Sequence, residues 1–87
     1  MIQYPATLMR DGDYILVTFK DVPEAITFGE TEKDALEKAV EALETALSFY
    51  VEANKDFPRP SIMTSGEKMV CVLETNIYSI RQAQNSS

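Results

Sequence analysis

The sequence predicts an α+β fold: an antiparallel meander of strands, one long helix packed on the sheet, and a last strand, in the order β-β-β-α-β. Three observations carry that prediction. Residues 31–54 place Leu36, Ala39, Val40, Leu43, Leu47 and Tyr50 at spacings of three and four, so these side chains share one face of a helix. Residues 2–28 fall into three short runs rich in β-branched and aromatic side chains, divided by an Asp-Gly and a Val-Pro turn. A fourth apolar run, Met69-Val-Cys-Val-Leu, follows a proline-stiffened connector. A helix with one apolar stripe needs a surface to lie on, and the strands supply it.

Residues 2–9 (Ile-Gln-Tyr-Pro-Ala-Thr-Leu-Met) alternate as a strand does. Pro5 lacks an N–H for a ladder, which makes this an edge strand or places Pro5 at a strand start. Asp11-Gly12 then signals a tight hairpin whose two central residues take positive φ. Residues 14–20 form the second strand, with Ile15, Val17 and Phe19 on the side that meets the helix. Pro23 presets a turn over residues 21–24, and residues 25–28 make a short third strand antiparallel to the second. Gly29 lets the chain turn into the helix. Thr31 is the expected N-cap, with Asp34 as its capping-box partner. Glu37, Lys38, Glu41, Glu44, Ser48 and Glu52 fall on the solvent side. Pro58 and Pro60 hold the connector extended. Residues 64–67 form a loop and residues 68–74 the last strand. Past Thr75 the pattern weakens: residues 76–84 suit a short helix, and Asn85, Ser86 and Ser87 a flexible end. The expected organisation is one domain over residues 1–75 and a short tail over residues 76–87.

Charge is distributed unevenly. The chain of 87 residues carries a net charge of -6, and residues 30–56 hold eight acids against three bases. The helix and its flanks therefore carry nearly all of the excess. Phosphate backbones repel such a surface, so no direct nucleic-acid binding is expected. A basic protein partner would be steered toward it. A single cysteine, Cys71, excludes an internal disulfide; within its apolar run it reads as a small buried hydrophobe. No membrane-spanning run and no charged, apolar leader is present, so the cytoplasm is the expected compartment.

Catalytic chemistry finds little to work with. There is no histidine, which removes the commonest general base and metal ligand. Ser61, Thr64 and Ser65 share a loop without an activating base in sequence. Asp11 and Asp13 flank Gly12 and could be read as metal ligands in a nuclease, but Asp in a turn satisfies its own backbone, and two carboxylates fall short of a cation's needs. The three glycines are scattered, so no phosphate loop exists. No cofactor, no metal and no enzymatic activity are expected. Glu24 could pair with Lys20 or touch a partner. Tyr4, Tyr14, Phe19, Phe28, Phe49, Tyr50 and Phe57 read first as core, with Phe28 and Tyr50 as alternative interface anchors.

Several local runs fall in an order that carries a resemblance. Tyr4-Pro-Ala-Thr-Leu, Asp13-Tyr-Ile-Leu-Val-Thr-Phe, Asp21-Val-Pro-Glu-Ala-Ile-Thr and Gly29-Glu-Thr precede an Ala-rich helix ending in Phe49-Tyr50 and a Pro58-Arg-Pro-Ser connector. Over residues 2–74 this resembles the N-terminal domain of the HicB antitoxin family. The resemblance implies a partial RNase H-like fold and a small basic partner, the HicA toxin, a ribonuclease that cleaves mRNA and whose active site the antitoxin masks. Family members often add a C-terminal helix-turn-helix or ribbon-helix-helix and repress their own operon. Residues 75–87 read as neither, so operator binding is not expected of this chain.

The expected contacts with a toxin are Glu24, Glu30, Glu37, Glu41 and Glu44, with Phe28 as an apolar anchor. A homo-oligomer, dimer or tetramer, is expected as well. The alternative is a self-associating structural module without a toxin, joined through an edge strand at residues 2–9.

Overall fold

The structure, a computed structural model, describes residues 1–85, with side chains as far as Ile80. The sheet contains β1 (Ile2–Asp11), β2 (Tyr14–Phe19), β3 (Ile26–Gly29) and β4 (Glu67–Val72), all antiparallel, in the spatial order β3-β2-β1-β4. The helix α1 (Glu32–Glu52) crosses one face, and α2 (Glu74–Asn85) packs against α1. The α+β class and the β-β-β-α-β order are as expected. The chain then continues into a helix longer at both ends than the one foreseen over residues 76–84. Of the end expected to be flexible, Asn85 closes α2, while Ser86 and Ser87 lie outside the described residues.

Strand alternation decides which side chains meet the helix. Tyr4 and Ala6 of β1, Ile15, Val17 and Phe19 of β2, and Val70 and Val72 of β4 are buried under α1. Ala35, Ala39, Leu43, Ala46 and Leu47 come down from α1, and Ile77 of α2 closes one side. Tyr4 is fully buried, yet its hydroxyl reaches the Pro58 carbonyl, which ties the connector to the sheet. Asp21 accepts from the backbone N–H and the hydroxyl of Ser61, and Lys20 pairs with Glu67 at 3.2 Å. Glu67 also accepts from the Thr64 N–H and hydroxyl; these bonds, with the Lys20 ammonium, hold its carboxyl below the usual range.

The first strand is central, contrary to the edge position read from Pro5. The β1–β2 ladder begins one residue later, where Ala6 faces Phe19. Pro5 lies inside the β1–β4 pairing, opposite Met69, and one residue before the β1–β2 pairing begins, so it has a paired strand on one side only. The true edges are β3 and β4, which removes the basis for self-association through residues 2–9. The hairpin is also shifted by one. Asp11 still pairs with Tyr14, so Gly12 and Asp13 are the loop, and Gly12 alone has positive φ, at 64°. That is the demand of a type II′ turn, with Gly first.

Both ends of α1 are closed locally. The Thr31 hydroxyl accepts from the Asp34 N–H at 3.1 Å, as expected of an N-cap. Asp34 returns the bond one residue further back, to the N–H of Glu30, at 3.0 Å. At the other end Asn54 adopts φ 56°, the Asn54 N–H reaches the Val51 carbonyl, and the Lys55 N–H reaches the Tyr50 carbonyl. This is a Schellman closure with Asn in the left-handed position that Gly usually takes.

Several side chains lie elsewhere than the sequence pattern suggested. Ser48, placed toward solvent, is buried and donates to the Thr45 carbonyl at 2.6 Å. The cause is α2, which covers a flank of α1 that a single-helix picture leaves wet. Cys71, placed in the core, is exposed, because only alternate residues of β4 meet the helix and Val70 and Val72 take those places. Phe49, Tyr14 and Phe28, counted with the core aromatics, are 54%, 51% and 47% exposed.

Candidate functional site

The edge strand β3 and the helix α1 leave an open groove between them. Glu24, Ile26 and Thr27 line it from the strand side, and Lys38, Glu41, Ala42, Thr45, Ala46 and Phe49 from the helix. Gly29 sets the closeness of the two elements. A Cβ at that position would collide with the backbone N and Cα of Ala35. Gly29 is therefore required by close approach, not by turn freedom. The groove spans about 480 Å³ and is wide open to solvent. Its floor is apolar, and its rim carries Glu24 and Glu41, with Lys38 beside them held by Asp34 at 3.3 Å. Glu24 does not pair with Lys20 as the sequence suggested. Its carboxylate instead accepts from the Tyr50 hydroxyl at 2.9 Å and 3.1 Å, which fixes it at the end of the groove. Partial burial and the adjoining Glu24 carboxylate push the Tyr50 hydroxyl above its usual pKa.

The expected contact residues do not form one patch. Glu24 and Glu41 meet at this groove. Glu37 lies one turn before Glu41 on the same stripe of α1 and is exposed. Glu30 is exposed at the end of β3, where its N–H is held by Asp34. Glu44 is drawn the other way: its carboxylate accepts from the Asn76 side chain of α2 at 2.9 Å. Phe28 is 47% exposed on the face of the sheet opposite α1. The β3 edge separates Phe28 from the groove, so only a partner that wraps this edge touches both. Two residues missed at the sequence level are Ile26, 56% exposed, and Phe49. The signal for Phe49 was present: it lies off the Leu36–Tyr50 stripe, four residues after Thr45 and eight after Glu41.

Asp11 and Asp13 sit exposed at the hairpin. Among the described residues no cluster of three His, Cys, Asp or Glu is placed to hold a metal ion. No helix among them is long and apolar enough to cross a membrane.

Residues 3–74 match the family described as HicB_like antitoxin of bacterial toxin-antitoxin system. Antitoxin HicB 1 of Photorhabdus laumondii is 48% identical over 61 residues, which cover 68% of this chain and 39% of that protein. Antitoxin HicB of Escherichia coli is 44% identical over 71 residues, covering 79% of this chain and 51% of that protein. This chain thus matches about half, or less, of the length of these curated relatives. Among solved structures, a toxin-antitoxin complex from Streptococcus pneumoniae superposes with a TM-score of 0.79 at 20% identity, over 99% of this chain and 76% of that one. The N-terminal domain of the Burkholderia pseudomallei antitoxin HicB gives 0.58 at 21% identity, over 78% and 92% of the two chains. At these identities the structural likeness establishes the shared fold. The family match and the two relatives above 40% identity go further, and on them the chain belongs to the HicB antitoxin family.

Proposed function

We propose that this chain binds a basic, HicA-type mRNA-cleaving toxin in the cytoplasm and masks its active site, without breaking any bond itself. The observation that carries the reading is the groove between β3 and α1, an apolar floor of Ala42, Ala46 and Phe49 rimmed by Glu24 and Glu41. A toxin that grips RNA must present cations to phosphate, and the same cations suit this rim. The acids raise the association rate, and the apolar floor slows dissociation. Membership of an antitoxin family supports the reading, as does the likeness to a toxin-antitoxin complex. The domain over residues 1–75 is the toxin-binding unit in this reading, with residues 76–87 outside the interface.

The test is inhibition of mRNA cleavage by a purified HicA-type toxin. The wild-type chain abolishes cleavage at equimolar ratio, and a Glu24→Lys, Glu41→Lys double variant does so only in large excess. A chain that leaves cleavage untouched, or that degrades RNA alone with magnesium or manganese present, defeats the proposal.

A further inference from the structure

The register of the sheet fixes which backbone groups of the edge strand β3 face outward. The loop Gly12-Asp13 has two residues, so its closing pair, Asp11 and Tyr14, exchanges both backbone bonds. Bonding then alternates along β2. Tyr14, Leu16 and Thr18 turn their N–H and C=O groups toward β1, and Ile15 and Val17 turn theirs toward β3. Gly29 faces Ile15 and Thr27 faces Val17, so the backbone of Gly29 and Thr27 is engaged by β2. Ile26 and Phe28 therefore aim their N–H and C=O groups away from the sheet. Glu30, next in this outward series, is closed by the Asp34 carboxylate, which accepts from its N–H at 3.0 Å. Among the described residues no loop or helix backbone bonds Ile26 or Phe28.

We infer that the toxin docks by strand addition: an extended toxin segment pairs with the free edge of β3, its basic residues directed into the groove and its alternate, apolar residues directed to Ile26 and Phe28. This deepens the toxin-binding proposal and rests on it. The two sheet edges differ in a way that favours β3. The β4 edge carries Glu67 and Lys68, charges of the kind that keep edge strands from pairing, whereas β3 reads Ile-Thr-Phe-Gly and carries none. Side chains of a strand alternate between faces. Ile26 and Phe28 place theirs, about half exposed, opposite α1, and Glu24, Glu41 and Phe49 line the groove on the α1 side. A strand added to this edge wraps it by its own alternation and so touches both sets. Charge selects the occupant. Lys38, the base that lines the groove, is taken by Asp34 at 3.3 Å, which leaves Glu24 and Glu41 for an incoming cation. A second copy of this chain brings the same acids and is repelled. The second helix is held on the other flank of α1, where Asn76 donates to Glu44.

Residue-resolved amide hydrogen exchange of the 87-residue chain, alone and bound to a purified HicA-type toxin, tests the inference, with calorimetry to establish the complex. In the free chain Thr27 and Gly29 exchange slowly, and Ile26 and Phe28 exchange fast. Binding slows Ile26 and Phe28 by about 100-fold, because exchange from a bonded amide waits for local opening. A paired variant reads the same edge by affinity. Ile26→Ala shortens the side chain, and Ile26→Pro also deletes an outward N–H without removing a ladder bond. The proline variant binds the toxin about tenfold more weakly than the alanine variant, the effect of one unmade bond. Circular dichroism melts establish that both are folded, and the wild-type exchange pattern decides by itself should the proline variant not fold. A complex in which Ile26 and Phe28 still exchange fast overturns strand addition and leaves the toxin-binding proposal standing, as does equal affinity of the two folded variants. Failure to form any complex defeats both. Protection of the two amides in the free chain that grows with its concentration also overturns the inference, because a second copy then holds the edge.

Discussion

Gly29 sits where β3 runs into α1, and its missing side chain lets the two elements meet. Gly29→Ala forces the backbone of Ala35 away from β3. The expected loss is about 1–3 kcal/mol, an overpacking cost without a flexible neighbour to yield, read as a lower urea midpoint at unchanged slope. Asp34 gives a pH signature at the same helix entrance. The Glu30 N–H first, then the Lys38 ammonium at 3.3 Å, hold its carboxyl below the usual 3.8. A lowered folded-state pKa adds stability above the unfolded value, and that stability is lost as pH falls through the folded value. Asp34→Asn therefore destabilises at pH 7, and the gap to wild type closes toward pH 2. Urea midpoints at the two pH values measure this; an equal gap at both removes the charge from the explanation.

Among the elements, α1 was legible because its signals agreed: stripe, propensity, cap and the absence of internal Gly or Pro. The strands were legible in extent but not in neighbourhood. Pro5 argued correctly against a ladder bond on one side, yet the sequence could not say that β2 stops at Phe19 and leaves that side empty. The second helix was the least legible. Its stretch lacks a strong apolar repeat, and one residue, Ile77, inserts completely into the core. Burial of Ser48 follows from the same helix. Ile77→Ala should cost about 2–4 kcal/mol, the loss of a buried aliphatic side chain plus its cavity. Thermal and urea denaturation check it. A change within about 0.5 kcal/mol, typical of surface sites, would mean that α2 contributes nothing to the fold.

For the molecule as a whole, the groove with its acids and the apolar row of the sheet sit on different faces. Glu41 of α1 and Glu24 of the β2–β3 turn flank the groove, and the apolar row Met9–Leu16–Phe28 lies on the far side of the sheet. The sequence showed that acids concentrate along residues 30–56, but sidedness depends on sheet order, which brings the Glu24 turn beside α1 and sends Phe28 away from it. Helical periodicity likewise could not tell Glu41, free at the groove, from Glu44, engaged by Asn76. The central claim is that the acidic β3–α1 edge receives a cationic partner. Titration calorimetry with a HicA-type toxin at low and high salt tests it most directly, comparing wild type with a Glu24→Lys, Glu37→Lys, Glu41→Lys variant. The account predicts affinity about 100-fold weaker for the variant at low salt, converging with wild type as salt screens the contact. Equal affinities with equal salt dependence would contradict it.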